Sequence, residues 1–294
     1  MVLSFYFMEG LEDYKKAGKL ARDALNHGLS MIKPGVKIVN VLDEVENYII
    51  RNGGGIAFPA QISLNDIAAH QCSVDSEEVI GKDLVKLDVG AHVNGFIGDN
   101  ARTVSLNGRE DLVEASDAAL DAALSVIKPG VTIGEVGRVI QREIEKRGFK
   151  PVRNLSGHGL ARFKVHTSPS MPNFDTKDDT VLEEGMVVAI EPFASEGSGI
   201  VQESGNATVY SLVNKKPVRS MITRNVLKDL DELPFTTRWL IKKYGEGRVN
   251  FAIRELEQKD LIRSHPPLRD TSKGLVSQSE HTVYVADEPI ILTK

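Results

Sequence analysis

Four carboxylates and one imidazole are the residues best placed to do chemistry: Asp88, Asp99, Glu191, Glu280 and His158. Asp88 lies in Leu84-Val85-Lys86-Leu87-Asp88-Val89, and the run from Leu84 to His92 reads as a strand. Asn94-Gly95 is a strong two-residue hairpin signal, with Phe96 to Leu106 as the returning strand. That turn sets Gly90 opposite Asp99 and leaves Asp88 two residues away, on the same face. The two carboxylates are then diagonal cross-strand neighbours, ~7–8 Å apart at Cα, and can converge on ions between them. An unpaired carboxylate among apolar residues is costly. A cation therefore explains two acids on one hairpin face better than a turn cap or a lysine pair does. Glu191 ends the apolar run Val187-Val188-Ala189-Ile190, in a segment that reads as a strand to Phe193. Glu280 sits in Ser279-Glu280-His281-Thr282, within a second expected strand from Val276 to Val285. His158 lies in Asn154-Leu155-Ser156-Gly157-His158-Gly159, whose small neighbours leave the ring accessible. Alone, a histidine after glycine is more often structural than a ligand. Hard oxygen donors with one nitrogen suit a pair of divalent ions such as Mn²⁺, Fe²⁺, Co²⁺ or Zn²⁺. The lack of a thiolate disfavours structural zinc. Two such ions ~3.5–4 Å apart can activate water and polarise a peptide carbonyl, which points to two-metal hydrolysis.

An internal repeat is what must position these groups. Residues 31–38 read MIKPGVKI and residues 126–133 read VIKPGVTI, six identities in eight at an offset of 95. Ala24, Leu25, Leu29 and Ser30 match Ala119, Leu120, Leu124 and Ser125 at the same offset, as Ile49 and Gly53 match Ile144 and Gly148. Each copy predicts a helix ended by proline (Pro34, Pro129), a glycine turn (Gly35, Gly130), then a second amphipathic helix. Two related halves follow, each a helix pair and then strands. By the repeat, Glu191 stands roughly where Asp88 does, and Glu280 on the strand that mirrors the one carrying Asp99.

The halves differ in one respect. Asp88 and Asp99 are 11 residues apart, whereas Glu191 and Glu280 are 89 apart, so an insert of subdomain size has entered the second hairpin. We assign it residues 204–268 within one catalytic unit spanning residues 1–294. Helical spacing is expected over Met221 to Leu230, Phe235 to Tyr244 and Val249 to Asp260, followed by a short strand at Leu261-Ile262. Between Lys215 and Arg269 there are 13 Lys or Arg against 7 Asp or Glu, a net of +6 that leaves −11 on the rest. Such an insert could be a winged-helix-like unit. A solvated helical face packed on the core is favoured, because basic surface helices are common.

The overall charge of −5 argues against a general nucleic-acid coat. No apolar run approaches the ~20 residues of a membrane span. Val2 to Met8 is too short for a signal-peptide core and follows no basic residue. Met8 is an alternative start. One cysteine, Cys72, rules out an internal disulfide and points to a reducing compartment, so a cytoplasmic location is expected.

Taken together, these segments resemble a type II methionine aminopeptidase. The matching pieces are Ala57-Phe58-Pro59, Ser63-Leu64-Asn65 with Ala68-Ala69-His70, Lys86-Leu87-Asp88-Val89-Gly90 and Gly95-Phe96-Ile97-Gly98-Asp99. They continue with Asn154-Leu155-Ser156-Gly157-His158, Ala189-Ile190-Glu191-Pro192-Phe193 and Glu280-His281-Thr282. Their order and spacing run through nearly the whole chain. The resemblance implies the α/β (α+β) pita-bread fold of creatinases and aminopeptidases: two pseudo-symmetric halves clasping a dinuclear site, with a helical insert marking the type II branch. It implies that Asp88 chelates one ion, that Asp99 and Glu280 bridge both, and that His158 and Glu191 complete the other. Glu191 is then also the general base or proton shuttle. His70 and His166 are implied to contact substrate near the scissile bond, and His70 to react with the family's epoxide inhibitors. Phe58 and Val165 line the methionine side-chain pocket. His265 stands where type II enzymes commonly have a tyrosine, so a more polar pocket rim is expected. Ser279 replaces a frequent phenylalanine, which bears on local packing. The chain looks like the bare archaeal form. Its implied substrates are nascent polypeptide N-termini with methionine before a small residue. A monomer is expected, with the basic insert as a candidate ribosome contact.

Four other readings are weighed. Prolidases and aminopeptidase P share the fold but usually carry an additional N-terminal domain, and only about 20 residues precede the repeat here. Non-catalytic relatives that bind RNA or protein have lost metal ligands, whereas all five positions are intact here. Ser156-Gly157-His158 is not a nucleophile elbow, and Gly53-Gly54-Gly55 is not a dinucleotide fingerprint.

Overall fold

The two Pro-Gly turns fold alike. In the computed structural model, which describes residues 10–294, Gly35 and Gly130 both adopt φ +87, the left-handed conformation only glycine takes without strain. Their N–H groups donate to Ile80 and Leu182 carbonyls at 2.7 and 2.8 Å. Each turn joins a helix pair: α1 (Leu11–Met31) with α2 (Ile38–Arg51), and, in the second half, α3 (Glu110–Leu124) with α4 (Ile133–Lys146). The repeat matches buried positions. Ala24, Leu25, Ile38 and Ile49 lie in one core, and Ala119, Leu120, Ile133 and Ile144 in the other. Each buried isoleucine contributes roughly 1.5–3 kcal/mol. Thr132 and Glu135 close a capping box that starts α4. The apolar stretch at Val2 to Met8 and the Met8 start lie outside the described residues.

In the first half, β1 (Gly55–Leu64), β3 (Leu84–Val93) and β4 (Phe96–Ser105) form an antiparallel sheet in the order β1-β3-β4. The β3-β4 register sets Gly90 opposite Asp99, as the hairpin signal predicts. Asn94 and Gly95 both have positive φ, which suits the twist of a two-residue turn. The short β2 (Ile67–Ala69) leaves this sheet and joins another, described below.

In the second half, β5 (Lys150–Pro151), β6 (Ser156–Ala161), β7 (Lys164–Pro172), β8 (Val187–Ile190) and β9 (Phe193–Ser195) precede the insert. After it come β15 (Val276–Gln278), β16 (His281–Tyr284) and β17 (Ile290–Ile291). A five-stranded sheet runs β17-β16-β8-β6-β7, beside a three-stranded one ordered β15-β9-β5. Both strands expected to be continuous are broken at their glutamates. Val187 to Phe193 divides at Glu191-Pro192, where proline lacks the N–H a ladder needs. Val276 to Val285 divides at Ser279-Glu280, because Glu280 N–H leaves its own sheet and donates to Ala101 of β4 at 2.9 Å. Asp99 and Thr282 exchange bonds across the same seam: Asp99 N–H donates to Thr282 Oγ1 at 2.8 Å, and that hydroxyl donates to the Asp99 carbonyl at 2.7 Å. Ser279, in place of a large side chain, is fully buried and bonds Ser116 and Asp117 of α3.

The insert is entered through β10 (Val201–Glu203) and β11 (Val209–Leu212). It continues with α5 (Met221–Asp229), β12 (Phe235–Thr236), α6 (Thr237–Tyr244), α7 (Glu246–Gln258), β13 (Ile262–His265) and β14 (Leu268–Asp270). Three expected boundaries shift. Phe235-Thr236 is strand rather than helix, since it pairs with β11, the last helix starts at Glu246, and the short strand spans Ile262–His265. Its helices close over a small sheet ordered β12-β11-β13, with a core that includes Val226, Leu240, Val249 and Leu256. A further sheet, β10-β14-β2, ties its root to the first half.

Charge on the insert is not all solvated. Arg238 of α6 is 3% exposed and pairs with Asp43 and, at 2.6 Å, Glu46 of α2. Glu46 also accepts from Ala60 N–H at 3.1 Å and Trp239 Nε1 at 2.8 Å. Removing one member leaves the other charges buried and uncompensated. Arg238→Ala is therefore expected to lower unfolding stability by about 3–5 kcal/mol in urea titration; a loss below ~1 kcal/mol would show that this latch is not a fastening. No helix among the described residues is long and apolar enough to cross a membrane.

Candidate metal centre and active-site cavity

One cavity of about 250 Å³ is lined by all ten side chains singled out above: Asp88, Asp99, His158, Glu191, Glu280, Phe58, His70, Val165, His166 and His265. Asp88 and Asp99 come from β3 and β4, and His158 from β6. Glu191 and Glu280 sit at the two strand breaks. Interrupting the ladder there frees each glutamate to turn toward the seam between the halves.

The groups converge. Single ligand atoms of Asp99, His158 and Glu280 lie within 4.8 Å of one another. His158 Nε2 is 3.8 Å from Asp99 Oδ2 and 3.7 Å from Glu191 Oε1. Its Nδ1 lies 3.2 Å from the Gly159 carbonyl. A proton on Nδ1 satisfies that carbonyl and leaves the Nε2 lone pair facing the carboxylates. Burial, then the neighbouring His166 ring 4.2 Å away between centroids, hold the His158 imidazole neutral by lowering its pKa to about 3.

Packing four carboxylates here is electrostatically costly. Burial pushes Asp88 up to about 7, and burial with mutual repulsion pushes Asp99, Glu191 and Glu280 well above the carboxylate range. Asp88 Oδ1 and Asp99 Oδ1 are buried with no hydrogen-bond partner. Two orphaned carboxylate oxygens beside a neutral imidazole form a donor set suited to a cation. Divalent ions would satisfy them and cancel the repulsion, so the residues fit such a group. Sequence reasoning missed Gln278, which reaches toward Glu191 Oε2 (3.4 Å) and Glu280 Oε2 (3.5 Å). It also missed Gln61 and Ser211 on the cavity wall. Amides and hydroxyls carry no local pattern that marks them; only Gln278's period-2 relation to Glu280 was a usable signal.

Around this centre Phe58 and Val165 are buried. His70 meets His265 edge to face, 5.8 Å between centroids. Enclosure lowers the His70 pKa to about 4, aided by the neighbouring histidines.

The sequence pattern of metallopeptidase family M24 matches residues 12–286. The chain belongs to this family. It is 45% identical over 284 residues to a methionine aminopeptidase of Archaeoglobus fulgidus, covering 95% of this chain and 96% of that one. The crystal structure of a Thermotoga maritima methionine aminopeptidase superposes with a TM-score of 0.73 at 25% identity, covering 98% and 97% of the two chains. A Pyrococcus furiosus prolidase shares the fold at TM-score 0.64 and 21% identity. There this M24 chain covers 98% of itself but 64% of the prolidase. The pita-bread fold and use of divalent metal follow from the family, and an enzyme of the methionine aminopeptidase kind from the near-full-length relative.

Proposed function

We propose that this M24 protein removes the initiator methionine from nascent polypeptides whose second residue is small, by metal-assisted peptide hydrolysis. The observation that carries this reading is the convergence of four carboxylates and a neutral imidazole at the floor of a cavity with an apolar wall. In it, Asp88, Asp99, Glu280, His158 and Glu191 would hold the divalent metal. When bound, this metal supplies Lewis-acid polarisation of the peptide carbonyl and a water acidic enough to attack near neutral pH. Glu191 is placed to accept a proton from the attacking water and return it to the leaving amine. Gln278 orients the carboxyls of Glu191 and Glu280. His70 and His166 stay neutral in the enclosed site and donate hydrogen bonds to the scissile peptide. Phe58 and Val165 exclude water from the methionine side chain, and His265 bounds the pocket.

Peptide cleavage tests the reading. With added Mn²⁺ or Co²⁺, Met-Ala-Ser is expected to release methionine at least ~100-fold faster than Met-Lys-Ser, because a crowded pocket mouth rejects a large second residue. Cleavage of Ala-Pro-Ser instead would move the protein to the proline-specific branch. Bound metal without cleavage would favour a binding relative.

The protein acts as a cytoplasmic monomer in this proposal, and its basic insert touches the ribosome. Arg248 is exposed on α7, and Lys242 and Lys243 of α6 are half engaged by Asp43 and Asp229. Neutralising all three is expected to reduce ribosome co-sedimentation at low salt, where phosphate contacts are strongest. Unchanged co-sedimentation would remove the contact from the proposal.

A further inference from the structure

One corner of the cavity is polar and has no part in the proposed chemistry. Ser211 of β11 and His265 of β13 share a hydrogen bond of 2.8 Å between Oγ and Nε2. The two strands are paired with Val209 opposite His265 and Ser211 opposite Arg263, so Ser211 and His265 are diagonal neighbours on one face. The His265 ring abuts His70 edge to face, and the carbonyl of the next residue, Pro266, stands against the His70 imidazole.

His70 needs this company. Its φ of +65 puts a non-glycine residue in the left-handed region. Such conformations persist only where the surroundings over-determine them, and they cluster at functional sites. Here both roots of the insert supply the constraint. Ala69 pairs with Leu268 of β14 on one side of His70. On the other, the Cys72 carbonyl accepts from Thr208 Oγ1 at 2.6 Å, one residue before β11. Ser204 N–H donates to the Pro267 carbonyl at 2.8 Å and ties the two roots together. Backbone pairing thus fixes the His70 main chain, and the Pro266 carbonyl accepts a hydrogen bond from the imidazole. Among the described residues, the insert ring packed against it is His265, and Ser211 holds that ring.

We infer that Ser211 is a positioning residue: through His265 it fixes the orientation of the His70 imidazole, so that the insert presents a group of the first half to the substrate. The inference rests on the proposed peptidase reading of the cavity. It also assigns the insert a role inside the active site, separate from any surface contact. Loss of the hydroxyl frees His265 to change rotamer and removes the wall against which His70 is seated. Misplacing a group at the reacting centre costs up to ~100-fold in rate.

The test pairs kinetics with histidine NMR on the zinc-loaded protein. Ser211→Ala is expected to lower kcat on Met-Ala-Ser about 10-fold, with KM within about 2-fold and Tm unchanged. Ser211→Thr keeps a hydroxyl at the same place and is expected to restore most of the rate. Two-bond ¹H–¹⁵N spectra of the ring nitrogens, with His70 assigned by its absence in His70→Gln, are expected to report one tautomer in the wild type. They are expected to show tautomer averaging in Ser211→Ala and the wild-type pattern again in Ser211→Thr. An unchanged His70 signal in Ser211→Ala overturns the inference whatever the rate does, as does a shifted signal that threonine fails to restore. Should the wild type release no methionine, the peptidase reading fails by itself, and the His70 signal still decides this one.

Discussion

Replacing Glu280 by glutamine is expected to reduce methionine release by at least ~10³-fold at saturating Mn²⁺ or Co²⁺. Losing a group that merely hydrogen-bonds a metal ligand costs ~10–100-fold, and losing a ligand costs more. Glu280 is itself one of three groups with ligand atoms inside 4.8 Å of each other. The change is nearly isosteric and keeps an oxygen in place, so the fold is retained. It also removes one charge from a buried cluster of four carboxylates. The metal-free variant is accordingly expected to unfold at a higher temperature than the metal-free wild type at pH 8, while losing activity. A variant that keeps more than about a tenth of wild-type activity with metal in excess would remove Glu280 from the centre. One that unfolds earlier at pH 8 would show that the carboxylates do not repel as argued.

Metal addition is expected to raise Tm by roughly 10 °C at pH 8 and by much less at pH 5. Ligand in ~1000-fold excess over Kd stabilises by ~4 kcal/mol, and each kcal/mol moves Tm by about 2–4 °C in a chain of this size class. The pH dependence comes from the carboxylates. Their folded pKa values are raised, so the folded chain binds more protons than the unfolded one above the ordinary carboxylate range. Their stabilising contribution is therefore complete below pH ~4 and is lost as pH rises through the raised values, about 7 for Asp88. The buried histidines act in the opposite sense. His158, His70 and His281 have folded values of about 3, 4 and 4, so their contribution is present above the ordinary histidine range and is lost as pH falls from there through the folded values. Above pH ~7 the histidines are neutral in both states. There the metal-free protein is expected to lose stability with every further rise in pH, and the metal to restore it, because the ions bind the deprotonated carboxylates. Differential scanning fluorimetry with and without Mn²⁺ across pH 5–8.5 reads this directly. A shift no larger at pH 8 than at pH 5 would refute the coupling of metal to these groups.

Much of the centre was legible without a structure, because some of its geometry is local. Asn94-Gly95 sets a two-residue turn, the turn sets the β3-β4 register, and the register puts Asp88 and Asp99 on one face. The Pro-Gly repeat likewise reveals two related halves, since the helix-ending proline and the left-handed glycine act within a few residues of chain. Resemblance to type II methionine aminopeptidases named Phe58, His70, Val165, His166 and His265, and all five line the cavity.

Other features depended on contacts between residues far apart in the chain. Apolar content over Val276 to Val285 implies an unbroken strand, yet the break at Glu280 is made by a hydrogen bond to Ala101 in the opposite half. Arg238 reads as one more surface cation on a basic helix. Helical periodicity tells which face of α6 is apolar but not that Asp43 and Glu46 wait beneath it. Ser211 carries no pattern, and Gln278 only its period-2 relation to Glu280: each matters through the atoms it meets, Glu191 and Glu280 for Gln278, His265 for Ser211. By itself, then, the sequence determined the turns, the repeat, the hairpin face of the acids and the family. Only the tertiary structure decided where the ladders break, which charges are buried, and how the insert reaches His70. Turns and periodicity arise from bonds within a few residues, whereas a side chain's partner across the fold exists only once both halves and the insert have closed on each other.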